Sequence, residues 1–260
     1  MTASPTANLS PRVAEAKRKL LELLFHKRLG HLGGNLSCLD ALVVLFHHVL
    51  TPSDRFILSK GHAAAALYVT LWSRGLVSDQ QLETFCEDDT LFAAHPSGAG
   101  VPGVMFPTGS LGHGPSLAAG LALAARHQAS GRQIYCLCSD GEWQEGSCWE
   151  ALTFAVHHRL DNLTLVIDQN GLQAFGTTAE VISCSDLAPR IASFGACVVS
   201  ANGHDVADLQ RGFSTFGAGR PRVILLATTK GRGTALENTV ASHYWPLTAE
   251  QFEAALGALS

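Results

Sequence analysis

Two oxygen-bearing side chains thirty residues apart, Asp140 in Ser139-Asp140-Gly141-Glu142 and Asn170 in Asp168-Gln169-Asn170, have the chemistry of a hard-cation site. Each follows a run with strand character, 133–138 and 163–167, and the interval 147–159 reads as a helix. In a parallel α/β sheet, ligands bind beyond the carboxyl ends of the strands, which sets Asp140 and Asn170 side by side in one crevice. Magnesium takes hard oxygens in octahedral geometry and shares its shell between one or two protein groups, phosphate and water, so one Asp and one Asn suit it. Gly141 lets the backbone approach a diphosphate with no Cβ in the way. A helix opening near Ser147 aims N–H donors at the same crevice. Either dipeptide alone is an ordinary turn; the pair at this spacing carries the reading.

The elements that must position these groups follow from periodicity. Helical spacing covers 11–27, 37–49, 63–74, 78–85 and 115–129, with Asp79 and Asp205 as capping or first-turn residues. Strand runs fall at 55–58, 134–138, 163–167, 196–200 and 223–228. The apolar, β-branched middle runs suit a parallel sheet covered on both faces by helices, a three-layer α/β fold. With 260 residues, 47% hydrophobic and 15% charged, the expectation is one domain over 1–260 with 1–10 flexible. Segment 96–115, rich in Gly and Pro, is a long irregular stretch of the kind that is usually functional inside a compact domain.

A net charge of −4 offers neither a nucleic-acid surface nor a polybasic membrane patch. The polar start lacks the features of a signal peptide, and no uninterrupted apolar run reaches membrane-spanning length. Seven cysteines, an odd number without Cys-x-x-Cys spacing, read as reduced thiols. The expected location is the cytoplasm. His47, His48, His157 and His158 form adjacent pairs in helical patterns and read as ordinary surface or interface residues.

Further segments carry a family resemblance. Gly30-His31-Leu32-Gly33-Gly34, Leu58-Ser59-Lys60-Gly61-His62, His95-Pro96-Ser97-Gly98 and Thr108-Gly109-Ser110-Leu111-Gly112-His113-Gly114 precede the Asp140 and Asn170 motifs, and Asn202-Gly203-His204-Asp205 follows them. Their order and rough spacing resemble the amino-terminal half of transketolases over about residues 30–230. The resemblance is closest to the split transketolases, whose diphosphate-binding and pyrimidine-binding halves are separate polypeptides.

That resemblance implies a thiamine-diphosphate-binding fold. It implies thiamine diphosphate held with Mg2+, or another divalent cation such as Ca2+ or Mn2+, by Asp140, Asn170 and the carbonyl of Leu172. It assigns His31 to substrate binding, His62 to the diphosphate and reaction centre, and His95 to the sugar hydroxyls. His243 matches a late histidine that reaches the cofactor, in a segment that departs from the family. Histidine suits such a pocket because it donates, accepts and titrates near neutral pH. Gly109, Leu111 and Gly112 belong to the loop approaching the thiamine, and Gly141 and Glu142 accompany Asp140 at the cofactor. Ser139 replaces the usual Gly before the Asp, and His113 stands where many members carry Gln. Glu145 and Glu150 read as helix-start and packing residues.

In the family, the acid that activates the cofactor and the basic cluster for the sugar phosphate lie in the pyrimidine-binding domain. The implied function is therefore a subunit that needs a separately encoded partner, as an α2β2 heterotetramer, to transfer a two-carbon ketol unit from a ketose or ketose phosphate to an aldose. One component of a 2-oxo acid-decarboxylating enzyme of the same cofactor class, and a non-catalytic binding subunit retaining the fold, are the alternatives.

Overall fold

A computed structural model of the chain describes residues 8–97, 100–183, 186–217 and 219–259. Of the stretch 1–10 expected to be flexible, 1–7 lie outside the described residues, as do Gly98 and Cys184. Leu9 is buried, and Ser10 opens the first helix.

The chain runs through α1 (Ser10–Lys27), α2 (Leu32–Val44), β1 (Arg55–Leu58), α3 (Ala64–Ser73), α4 (Asp79–Glu83), α5 (Gly114–His127), β2 (Ile134–Ser139) and α6 (Gly146–His157). It continues through β3 (Leu163–Gln169), α7 (Thr178–Ile182), α8 (Leu187–Ser193), β4 (Cys197–Asn202), α9 (Val206–Ser214), β5 (Arg222–Ala227), α10 (Ala241–Tyr244) and α11 (Ala249–Gly257). All five strands are parallel, in the order β1-β2-β3-β5-β4.

Alternation along the strands divides the core in two. Tyr135, Leu137, Val166, Ile224 and Leu226 join the layer built by α1, α2, α3, α9 and α11, while Ile134, Cys136, Cys138, Leu165, Ile167 and Val223 join that of α5, α6 and α8. The expected three-layer α/β fold is the observed one.

The expected helix 37–49 differs at both ends. It begins at Leu32, because Gly33 and Gly34 lie inside α2 rather than before it, and it ends in a wider π turn, Leu45–Val49. A Cβ on Gly33 would stand 2.3 Å from Ser242 Oγ and 2.6 Å from Lys230 Cγ, so the glycine permits close helix packing instead of breaking the helix. The stretch Leu32–Val49 is apolar and long enough to cross a bilayer, yet 83% of it is buried within the fold.

The short helices α7 to α11 are not among the expected ones: α7 and α10 are too brief for apolar spacing to show, although α9 carries Val206, Leu209 and Phe213 and α11 carries Phe252, Ala255 and Leu256 at helical spacing. Side-chain caps mark three of them: Thr177 and Thr248 form capping boxes, and Asp205 accepts from the Asp208 N–H, the capping role expected of it. His47 is partly buried in the π turn, with Nε2 2.9 Å from Ser73 Oγ.

Candidate active site

The carboxyl ends of β1, β2, β3 and β5 open on one cavity of about 360 Å3. Asp140, at the end of β2, lines it with only 3% of its surface exposed. Its Oδ1 accepts from the Gly141 N–H at 2.8 Å and its Oδ2 from the Gly171 N–H at 2.6 Å. No Lys or Arg forms an ion pair with Asp140 among the described residues. Burial, reinforced by the Asp168 charge, lifts its carboxyl to about 6.

Asn170 and Leu172 line the same cavity. Asn170 Oδ1 accepts from the Leu172 N–H at 3.1 Å, while its Nδ2 donates to Asp168 at 3.2 Å, so the amide oxygen is fixed on the Leu172 side. A buried carboxylate with no cationic partner, an amide oxygen and a backbone carbonyl make a hard donor set with lone pairs to spare. These residues fit a Mg2+-type ion that completes its shell with phosphate and water.

Behind them lies a buried ion pair. Lys60, at the exit of β1, and Asp168, on β3, meet at 2.5 Å with both side chains fully buried. Burial pushes the Asp168 carboxyl up, but Lys60 pulls it further down, and the reciprocal attraction raises Lys60 against its own desolvation. Ser37 and Thr228 hydroxyls also donate to Asp168, and Lys60 donates to the Gly34 carbonyl. One carboxylate thus binds together α2, β1, β3 and the end of β5.

Lys230, after β5, reaches the cavity and donates to the carbonyls of Leu172 at 2.9 Å and Gln173 at 3.4 Å. Burial, with the Lys60 charge behind it, lowers Lys230 to about 8.

Four histidines meet in the same lining. His31 lies with its ring centroid 5.7 Å from His62, 5.9 Å from His95 and 4.7 Å from His243. His31 adopts a left-handed conformation, φ 61°, and its N–H donates to the His243 carbonyl at 2.8 Å. Burial lowers all four pKa values. His95 and the two lysines lower His31 further, Lys60 lowers His62, and Lys230 takes His243 to about 4. Neutral imidazoles can both donate and accept. His31 Nδ1 and Gln173 Nε2 are buried without partners, as expected of a pocket shaped for a polar ligand.

His31, His62, His95 and His243 are therefore brought together as expected, with Gly109, Leu111, Asp140, Gly141, Asn170 and Leu172 in the same wall. Two of the expected residues lie outside the cavity lining. Glu142 is fully buried: its carboxylate accepts from Ser59 Oγ, the Gly112 N–H and the Ser139 N–H, so it braces the glycine loop. Gly112 is held by that bond outside the cavity lining. His113 is exposed, with Nδ1 near the Ser110 and Leu111 carbonyls. The Ser139 substitution has a use: its Oγ accepts from the Glu142 N–H at 3.3 Å.

Lys60, Asp168 and Lys230 are working residues that sequence reasoning misses. Lys60 and Asp168 lie inside recognisable motifs without any local sign that they pair, and Lys230 follows a strand whose sheet position only the topology supplies.

Residues 12–259 match the family model described as transketolase, thiamine diphosphate binding domain. An apulose-4-phosphate transketolase subunit from Phocaeicola vulgatus is 37% identical over 256 residues, covering 94% of this chain and 91% of that protein. A 6-deoxy-6-sulfo-D-fructose transketolase subunit from Clostridium sp. is 35% identical over 259 residues, covering 95% and 94%. The solved transketolase from Leishmania mexicana superposes with a TM-score of 0.89 at 27% identity, covering 100% of this chain but 42% of that one. The chain thus spans about two fifths of that solved transketolase and nearly all of the two subunits. With the family model matched over almost its whole length, the chain belongs to the transketolase family and supplies its thiamine-diphosphate-binding domain.

Proposed function

We propose that the chain is the diphosphate-binding subunit of a two-component transketolase that moves a two-carbon ketol unit from a ketose to an aldose, working as an α2β2 heterotetramer with a separately encoded pyrimidine-binding subunit. The observation that carries the cofactor end is Asp140, a buried carboxylate with no ionic partner, held by two backbone N–H groups beside Asn170 and Leu172. Those three residues hold a divalent cation, Mg2+ first, and Lys230 faces the diphosphate as the cavity's ammonium. Thiamine diphosphate bound there supplies the electron sink for breaking and forming the bond beside a carbonyl.

The histidines do the protein's share at the substrate end. His31, His62, His95 and His243 present neutral rings that accept hydrogen bonds from sugar hydroxyls and pass protons at their nitrogens. The two named relatives are described for ketoses with an anionic group, a phosphate in one and a sulfonate in the other. An anionic ketose is accordingly the donor class assigned here. The free thiols among the described cysteines suit a reducing cytoplasm, which fractionation tests.

The test is reconstitution. The chain alone, a candidate pyrimidine-binding partner alone, and the two mixed are each assayed with Mg2+, thiamine diphosphate, a ketose phosphate and an aldose. Turnover is expected only in the mixture. Ketol transfer by the isolated chain would overturn the two-component arrangement, and CO2 release from pyruvate would move the assignment to a decarboxylating enzyme. Absence of Mg2+-dependent thiamine diphosphate binding in the mixture would leave a non-catalytic subunit.

A further inference from the structure

The Asn202-Gly203-His204-Asp205 motif stands outside the cavity lining, yet Gly203 and His204 both contact the exit of β5. Gly203 donates its N–H to the Ala227 carbonyl at 2.9 Å, and a Cβ on it would stand 2.3 Å from Thr228 Cγ2. Only a glycine lets the ends of β4 and β5 approach this closely. Asn202 Oδ1 accepts from the His204 N–H at 3.0 Å. Asp205 caps α9 by accepting from the Asp208 N–H at 2.8 Å, and Asp208 returns a carboxylate oxygen to the Asn202 N–H, also at 2.8 Å.

His204 sits at the centre of this arrangement with its side chain almost fully buried. Its Nε2 is 2.9 Å from the Thr229 N, whose N–H donates to it, so Nε2 carries the lone pair and the proton is on Nδ1. Nδ1 faces Asp40 Oδ2 at 3.2 Å, and Asp40 in turn accepts from Lys17 at 2.9 Å. Thr229 lies between two working residues: the Thr228 hydroxyl donates to Asp168, and the Lys230 ammonium enters the cavity. A rigid imidazole pinned at one edge thus holds the backbone from which Lys230 projects.

We propose that His204 is a positioning residue for the diphosphate end of the site: its Nε2 holds the Thr229 amide and so aims the Lys230 side chain at the bound anion. This rests on the assignment of the cavity to a divalent cation and a diphosphate. The role is confined to one ring nitrogen, which makes it separable. In His204→Gln the side-chain amide reaches the Nε2 position and can still accept from Thr229, though it gives up Asp40. In His204→Asn the shorter amide reaches the Nδ1 position, keeps Asp40 and gives up Thr229.

The experiment is calorimetric titration of the chain mixed with its pyrimidine-binding partner, using Mg2+-thiamine diphosphate, and Mg2+-pyrophosphate as the probe lacking the ring system, alongside hydrogen exchange of the segment 228–231. Wild type and H204Q are expected to bind within about twofold of each other, while H204N loses about tenfold, the usual scale for removing a group that orients a ligand-binding residue. Exchange at 228–231 rises in H204N and not in H204Q. In a Lys230→Gln background the H204N loss disappears, because the residue it aims is gone.

Equal binding by H204N and wild type overturns the proposal, as does an undiminished H204N loss in the K230Q background. If H204N does not give a cooperative melt, H204Q and Asp40→Asn carry the test. Both keep a partner for Thr229, and a tenfold loss in either overturns the proposal. Failure of wild type to bind either probe overturns the cofactor assignment itself, and this inference with it.

Discussion

Asp140 faces conflicting demands that a cation resolves. Two N–H donors favour its charged form, but burial and Asp168 oppose that form and lift the carboxyl to about 6. A divalent ion reverses the balance, so binding of Mg2+ and thiamine diphosphate is expected to raise the melting temperature by about 5 °C or more at a hundredfold excess over the dissociation constant. Asp140→Ala should abolish that shift in a thermal melt; a retained shift would place the cation elsewhere. The histidines act through pH in the opposite sense. An imidazole whose folded pKa is depressed contributes stability that is present above its unfolded value of 6.5 and is lost as pH falls toward the folded value, about 4 for His243. Asp140 partly offsets this, because its raised pKa makes the folded state bind a proton more readily between 3.8 and about 6. With five depressed imidazoles, His47 among them, against the two raised carboxyls of Asp140 and Glu142, the urea midpoint should fall from pH 6.5 toward pH 4. His243→Asn should make that fall shallower by up to one proton, and parallel curves for variant and wild type would remove His243 as a source. Most of this was legible in the sequence, because Gly-His and Asp-Gly steps at strand ends mark themselves. Lys230 was not, since nothing next to it says that β5 lies beside β3.

The glycines of α2 show where local rules fail. Gly33 and Gly34 read as a loop because helix propensity disfavours them, and the structure overrides propensity with packing against Ser242 and Lys230. Gly33→Ala therefore sets two effects against each other. Alanine gains about 1 kcal/mol of helix propensity, but its Cβ would sit 2.3 Å from Ser242 Oγ and 2.6 Å from Lys230 Cγ, and relieving such overpacking costs about 1–3 kcal/mol. The clash is expected to win, lowering the urea midpoint and weakening Mg2+-pyrophosphate binding together, because the displaced neighbour is the cavity's lysine. A stabilised variant with unchanged binding would show that α2 moves freely against α10. The same limit explains the buried pair. Continuous apolar runs disclosed the strands β1, β2, β3 and β5, whereas Lys60 and Asp168 find each other only when β2 stands between their strands. The shortest helices stayed hidden for a related reason: α7 and α10 run for five and four residues, too few for a period to appear, and of the two only α7 has a side-chain cap, Thr177.

The mouth of the cavity bears on how the molecule is completed. Phe175, in the cavity lining, is 87% exposed, Ile182 at the end of α7 is 61% exposed, and Trp245, directly after α10, is 66% exposed. These positions are tied to the site. Gln144, a cavity residue, donates to the Ile182 carbonyl at 2.7 Å, and the Tyr244 hydroxyl donates to the Ala174 carbonyl at 3.0 Å. Large apolar side chains grouped around a polar mouth mark a surface meant to be covered. Relatives of different length indicate what covers it. The chain spans 42% of the solved Leishmania mexicana transketolase but 91% of the Phocaeicola vulgatus protein, so the proposed two-component arrangement assigns the covering of this surface to the partner subunit. Single aspartate substitutions at Phe175, Ile182 and Trp245 are expected to weaken association with the pyrimidine-binding subunit by at least about tenfold each, as loss of an apolar anchor does at an interface. They should leave the isolated chain's stability within about 0.5 kcal/mol, since exposed side chains contribute little to folding. Sedimentation of the mixed subunits reads the first quantity and urea unfolding of the single chain the second. Undiminished association in all three variants would place the partner on another face, and with it the groups that must complete the cavity.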